Sequence, residues 1–256
     1  MKSFKYIISS LLLAGSMGFV LSSCSEDKLD PNSIFPEIDE RLDPSSATYQ
    51  LDVFLRDNYL KPYNLDFRYK MQDVGTNMNY NLVPATYANS VDLAVLTKYL
   101  WFDAYAEVVN EDFLKLYGPR IIHLIGSPAY NPTSGTMILG LAEGGIKVSL
   151  FRVNEMNIND FYTMNDYYFK TMHHEFSHIL HQTKPYPSEF NTVSVGHYDS
   201  NNWSSRDEGV VNSLGFVTNY ASSEFREDFA ASIATFIVLT DKQWERIYDK
   251  ARRGWE

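Results

Sequence analysis

The chain has 256 residues, 45% of them hydrophobic, with 16 Phe and 18 Tyr, which is ample material for one sizeable core. Its 22 basic and 32 acidic side chains leave a net charge of −10, and that balance excludes nucleic acid as a partner, because phosphate binding needs basic surface. A single cysteine excludes a disulfide framework and a thiolate metal site.

Met1 to Lys5 form a short basic start, and Tyr6 to Leu21 form an apolar run that ends in "LSSC" at Cys24. Residues 1–23 read as a secretory signal peptide, too short and too early for a membrane span of the mature protein. Cys24 behind small residues resembles a bacterial lipobox, which implies cleavage before Cys24, lipidation of its thiol and retention in a lipid membrane. An ordinary signal peptide with a coincidental cysteine is the plainer alternative. Residues 1–23 hold two lysines and no acid, so the remainder carries −12. Residues 24–45 are polar and acidic with three prolines, an extended lipidated tether.

Residues 46–256 then read as a single domain. A helix is expected from about Ala47 to Tyr59, a strand in "LDFRYKMQDV" and a long helix in "SVDLAVLTKYLWFDAYAEVV". "RIIHLIG" reads as a buried strand, and "TMILGLAEGGIKVSLFRV" as two strands around Gly144-Gly145. Thr163 and Asp166 suggest a cap for the next helix, which Pro185 stops. A polar loop over 183–210 precedes helices at Ser222–Leu239 and 241–253, the second with Thr240 and Gln243 as a capping box. Helices and strands mixed in this order define an α+β domain.

The stretch "HHEFSHILHQ", residues 173–182, contains an H-E-x-x-H pattern that chance would produce in about one chain in a hundred of this length. On a helix, His174 and His178 lie about 40° apart on one face. Phe169, Met172, Phe176 and Ile179 fall on the opposite face and are expected in the core. Two neutral imidazoles one turn apart reach a single Zn²⁺ at about 2.0–2.1 Å, and Glu175 lies beside them where it addresses a water. A solvated polar face without metal is the alternative reading. His181 lies about two helical turns beyond His174, too far to join both imidazoles on one ion, and so lines a pocket or the surface. In "NYASSEFREDFAASIATF", Glu227 shares a face with Ala231 and Ala234, and such small residues permit close approach of a second helix. Phe225, Phe229 and Phe236 are expected to form the buried stripe opposite. Asp228, about 100° away, is the weaker candidate, and an ordinary surface role for Glu227 stays open.

"HEFSH" followed 49 residues later by "EDFA" resembles the gluzincin arrangement. With "GFVTNYASSEFREDFA" and the lipobox, the chain resembles a family of zinc metallopeptidase lipoproteins described as substrate import-associated zinc metallohydrolases. The resemblance implies a zincin-like fold, one Zn²⁺ on His174, His178 and Glu227, and Glu175 as general base. It also implies an outer-membrane lipoprotein, facing the periplasm or the cell surface, that acts on a peptide or protein substrate beside a nutrient-import complex. Tyr220 stands seven residues before Glu227, an offset at which lethal-factor-like peptidases carry a tyrosine that assists the developing oxyanion. The strand "IKVSLFRV" is the expected sheet edge for an extended substrate. Two departures from the family pattern stand out. Ala231 occupies a position that often carries an acid orienting a ligand histidine, which makes Asp228 the nearest substitute. The chain also stops at "ARRGWE", which reads as a C-terminally shortened domain. Both departures favour the competing expectation, a non-catalytic import-accessory lipoprotein that keeps the metal scaffold.

Overall fold

The computed structural model describes residues 42–72 and 79–253, so the expected signal peptide, Cys24 and nearly all of the expected tether lie outside the described residues. Helix α1 runs through Tyr49–Leu55, a π-helical turn at Arg56–Leu60 and a last turn at Lys61–Tyr63. Leu51, Leu55, Tyr59 and Tyr63 recur every fourth residue and are all buried, so one stripe fastens the helix to the core. Asn64 ends it with a left-handed φ of 50°, a conformation that asparagine tolerates better than most residues. Strand β1 follows at Asp66–Arg68, shorter than the sequence suggests. Helix α2 joins Tyr87–Thr97, a π-turn at Lys98–Phe102 and Asp103–Val108, the long helix expected there. It buries Leu93, Ala94, Trp101 and Phe102. A short α3 follows at Phe113–Tyr117.

The strands are β2 (Ile121–Leu124), β3 (Ala129–Tyr130), β4 (Met137–Ile138), β5 (Gly140–Glu143) and β6 (Lys147–Leu150). The main sheet has the order β1-β2-β6-β5, parallel except for the antiparallel pair β5–β6, while β3 and β4 form a separate ribbon. Gly144 and Gly145 turn β5 into β6 with φ of +60° and +69°, a pair of positive angles that few other residues adopt. The expected edge is corrected here. Strand β6 is interior, because β2 pairs along one side of it and β5 along the other, and β5 is the edge. Phe67, Ile122, Leu124, Val148 and Leu150 are buried in one cluster with the apolar stripes of α1 and α2.

Helix α4 joins Phe161–Thr163, a π-turn at Met164–Phe169 and Lys170–His181. Its cap differs from expectation: Asp160, not Thr163, is the N-cap, and its carboxylate accepts the Thr163 N–H at 3.1 Å. The short α5 (Phe190–Val193) and α6 (Glu208–Ser213) interrupt the polar loop. Helices α7 (Phe225–Val238) and α8 (Asp241–Arg253) close the chain. The capping box before α8 forms, with the Thr240 N–H donating to Gln243 Oε1 at 2.9 Å. The buried side of α7 is its alanine face, Ala230, Ala231 and Ala234 with Thr235. The predicted phenylalanine stripe is not buried: Phe225 and Phe229 are half-buried, and Phe236 is 71% exposed. Backbones approach most closely across small side chains, so α7 turns its alanines, not its rings, inward. The α+β class read from the sequence is observed.

Candidate metal centre and active site

The apolar stripe of α4 fixes how the motif is presented. Phe169, Met172, Phe176 and Ile179 are buried as expected, and this turns His174 and His178 to the opposite side, where both are half-buried. His173 faces inward: its ring packs against Trp101, and its Nδ1 lies 3.1 Å from the Tyr105 hydroxyl. Burial pushes its pKa down to about 4, so it stays neutral and belongs to the core.

Helix α7 brings Glu227 to the same place. Its Oε2 lies 2.9 Å from His174 Nε2 and 3.3 Å from His178 Nε2, and the two imidazole nitrogens are 3.2 Å apart. Among the described residues this is the group of three His or acidic side chains able to hold a metal ion. Ligand atoms around a tetrahedral zinc at about 2.0–2.1 Å stand about 3.3 Å from one another, so these three atoms match three corners of such a site. The donor set fits as well, since two imidazoles and a carboxylate converge their lone pairs on one point, where a cation relieves their crowding. Burial alone would raise the Glu227 carboxyl, but the hydrogen bonds of His174 and His178 hold it well below the usual carboxylate range. Burial likewise opposes the charged form of His178, but its hydrogen bond to Glu227 outweighs this and raises it. Asp228 and His181 do not join the group.

Glu175 sits beside the trio and is almost enclosed. Burial pushes its carboxyl upward, opposed by the neighbouring imidazoles and by the Ala142 backbone N–H, while Glu227 adds to the rise. That N–H comes from edge strand β5. The Leu139 carbonyl accepts from the Phe151 N–H towards β6, so by alternation the backbone groups of Gly140 and Ala142 face away from the sheet. Gly140 lets the strand come this close: a Cβ there would stand 2.4 Å from Thr171 Cγ2 and 3.0 Å from Glu175 Cγ. The sequence reading missed both residues. Its one available signal was a glycine inside an apolar strand, which marks a close backbone approach.

Tyr220 opens the turn Tyr220–Ser222 ahead of α7. Its ring centroid lies 5.7 Å from that of His174, the Trp203 ring centroid lies 4.9 Å away, and its hydroxyl is close enough to Glu227 to feel that carboxylate. Burial and the nearby carboxylates raise the hydroxyl well above the ordinary tyrosine range, so it remains a proton donor. It therefore stands at the metal group, as the offset suggested. Asp228 does not replace the acid absent at Ala231: its buried carboxylate takes the Tyr198 hydroxyl at 2.9 Å rather than a ligand histidine. His181 is not part of the trio and packs its ring against Tyr186 at 4.6 Å, beside Phe229.

A trio able to hold a metal on two helices, beside a buried glutamate and a sheet edge, defines a metallopeptidase-like α+β fold. Residues 45–255 match the family described as "Putative zinc-binding metallo-peptidase", and the chain belongs to that family. It is also similar to a crystal structure from Bacteroides caccae, described as a putative zinc-binding metallo-peptidase, at 42% identity and a TM-score of 0.68, covering 82% of this chain and 80% of that one. No curated protein matches the chain.

Proposed function

We propose that the protein is a zinc metallopeptidase that hydrolyses peptide bonds, with His174, His178 and Glu227 as the metal ligands. The observation that carries this reading is the convergence of three ligand atoms within 3.3 Å of one another, beside a buried Glu175. When bound, zinc supplies Lewis acidity towards a water and towards a carbonyl oxygen. Glu175 takes the proton of the attacking water and passes it to the departing amine, a role suited to a carboxyl whose enclosure makes it a stronger base. The Tyr220 hydroxyl donates a hydrogen bond where negative charge develops on the carbonyl oxygen. The outward backbone groups of Gly140 and Ala142 hold an extended peptide as an added strand, which puts its backbone at the metal group.

The N-terminal lipobox-like segment supports a lipid-anchored, extracytoplasmic enzyme held through Cys24 at the outer membrane. An acidic protein with such an anchor suits service beside a nutrient-import complex, and its substrate is a peptide or protein rather than nucleic acid.

The test is paired. Glu175→Gln keeps one zinc per chain and loses hydrolysis of a mixed peptide library, while Glu227→Ala loses the zinc as well. Full hydrolysis by Glu175→Gln removes the mechanism. One zinc per chain without any cleavage by the unaltered protein removes the hydrolase and leaves the accessory lipoprotein, a reading favoured by Ala231, where no acid supports a ligand histidine.

A further inference from the structure

We infer that Trp203, carried on a strap of chain tied to both sides of Tyr220, is the positioning residue for the Tyr220 hydroxyl; the inference rests on the role given to that hydroxyl above. The backbone of Tyr220 is fixed, because its carbonyl accepts the Ser223 N–H at 3.0 Å and the Ser223 hydroxyl at 2.7 Å. Its side chain is not enclosed: the residue is 41% exposed, and its ring turns about two side-chain torsions. Among the described residues two rings meet it. The His174 ring lies 5.7 Å away, tilted by 41°, and the Trp203 ring lies 4.9 Å away at 67°, edge to face. His174 belongs to the metal group, so Trp203 is the ring that holds Tyr220 from outside it.

The strap runs from His197 to Arg206, and its ties fall next to Tyr220 in the chain. Near its start the Asp199 N–H donates to the Ser222 carbonyl at 2.8 Å, just after Tyr220. At its end the Asn219 amide donates to the Arg206 carbonyl at 2.6 Å, just before Tyr220. The Tyr198 hydroxyl adds a tie to α7, donating to the Asp228 carboxylate at 2.9 Å. Arg206 closes the strap on itself, its Nη1 donating to the His197 carbonyl at 2.9 Å. Between the ties, the Asp199 carboxylate accepts the N–H groups of Asn201 and Asn202 at 3.2 and 3.0 Å. The Trp203 N–H reaches the Asp199 carbonyl at 3.2 Å. This turn sets the indole down on the residue that stands between the two ties. None of these bonds uses His174, His178 or Glu227, so the strap holds Tyr220 independently of an ion. Displacing a reacting group by about 1 Å costs about a hundredfold in rate, so a ring that fixes the donor governs turnover without touching the substrate.

The experiment is a double-mutant cycle on the zinc-loaded protein, with W203L and Y220F alone and together. W203L is expected to lower kcat on a cleavable peptide about ten- to hundredfold, with KM and zinc content within about twofold, while W203F keeps an aromatic edge and most of the rate. R206A, which opens the strap without altering either ring, should reproduce part of the loss. In the Y220F background W203L should cost no further rate. An equal loss in both backgrounds, no loss, or a loss carried by KM overturns the inference while cleavage stands. Two further readouts need no turnover. A phosphinic peptide places tetrahedral oxygens where the carbonyl oxygen gains charge, and its Kd should rise in W203L but no further in the double variant than in Y220F. In zinc-free protein labelled with 3-fluorotyrosine, the fluorine resonance that Y220F removes identifies Tyr220, and W203L should shift and broaden it. A resonance that W203L leaves in place overturns the inference. A shifted resonance with coupled phosphinic affinity, and no peptide cleaved, upholds Trp203 and overturns the hydrolase reading.

Discussion

Glu175 depends on a neighbour that has no chemical role of its own. Glu175 is placed by a glycine: Gly140→Ala drives a methyl group to 2.4 Å from Thr171 Cγ2 and 3.0 Å from Glu175 Cγ. The strand must shift, so we expect a loss of about 1–3 kcal/mol in stability and a fall in turnover without loss of zinc. Urea unfolding and metal analysis on one preparation check both. Tyr220 offers a different signature, because in the proposed mechanism its hydroxyl acts where charge develops. Tyr220→Phe should lower kcat by about 10²–10³ with KM and zinc content nearly unchanged. If KM rose and kcat held, the hydroxyl would serve binding instead.

At the scale of elements, the site is a contact between two helices of opposite character. Helix α4 is legible as an amphipathic segment, with its core stripe and its histidine face assigned correctly from the 3.6-residue period. Helix α7 is not, because it carries rings on one side and alanines on the other, and period alone cannot say which side meets a partner. Apolar content pointed to the phenylalanines, whereas the short reach demanded by Glu227 selects the alanines. Ala234 is fully buried there, so Ala234→Leu should push α7 away from its neighbours at about 1–3 kcal/mol of stability. The ligand oxygen moves with the helix, and a chelator competition assay should show weaker zinc binding. Unchanged affinity would mean that the alanine face does not set the helix spacing. The cap of α4 carries the same lesson: Thr163 looked like an N-cap, but Asp160 precedes it at the proper distance and wins the exposed amide.

For the whole molecule, a zinc held by His174, His178 and Glu227 would tie α4 to α7, and on that proposal it should contribute to stability by mass action, about 2.7 kcal/mol when free zinc is a hundredfold above its dissociation constant. A chelator should therefore lower the Tm of the unaltered protein and leave that of Glu227→Ala unmoved. The second dependence is on pH: buried His173 on α4 contributes to it, and so does a histidine in the sheet. His123 on β2 is buried, its Nε2 has no hydrogen-bond partner, and burial with the nearby Lys147 and Arg68 lowers its pKa. The folded chain keeps it neutral, so no stability is lost above the ordinary histidine range. As pH falls through that range the unfolded chain takes a proton that the folded one refuses, and stability drops until the lowered folded value is reached. In zinc-free protein, His123→Gln should partly flatten the fall in Tm between pH 7.5 and 5.5; an equal slope would show that His123 is not one of the groups responsible.

The sequence by itself determined the α+β class, the helix bearing the motif and the face on which His174 and His178 stand, and it offered Glu227 as a candidate distant carboxylate whose approach to them the tertiary structure supplied. These follow from local periodicity and from the short list of side chains able to meet a metal. Only the tertiary structure decided that β5 rather than β6 is the edge, that Ala142 presents its N–H to Glu175, and that Asp228 serves Tyr198. Each of those depends on which strands pair and how closely two segments far apart in the chain approach, and no local repeat encodes a long-range distance.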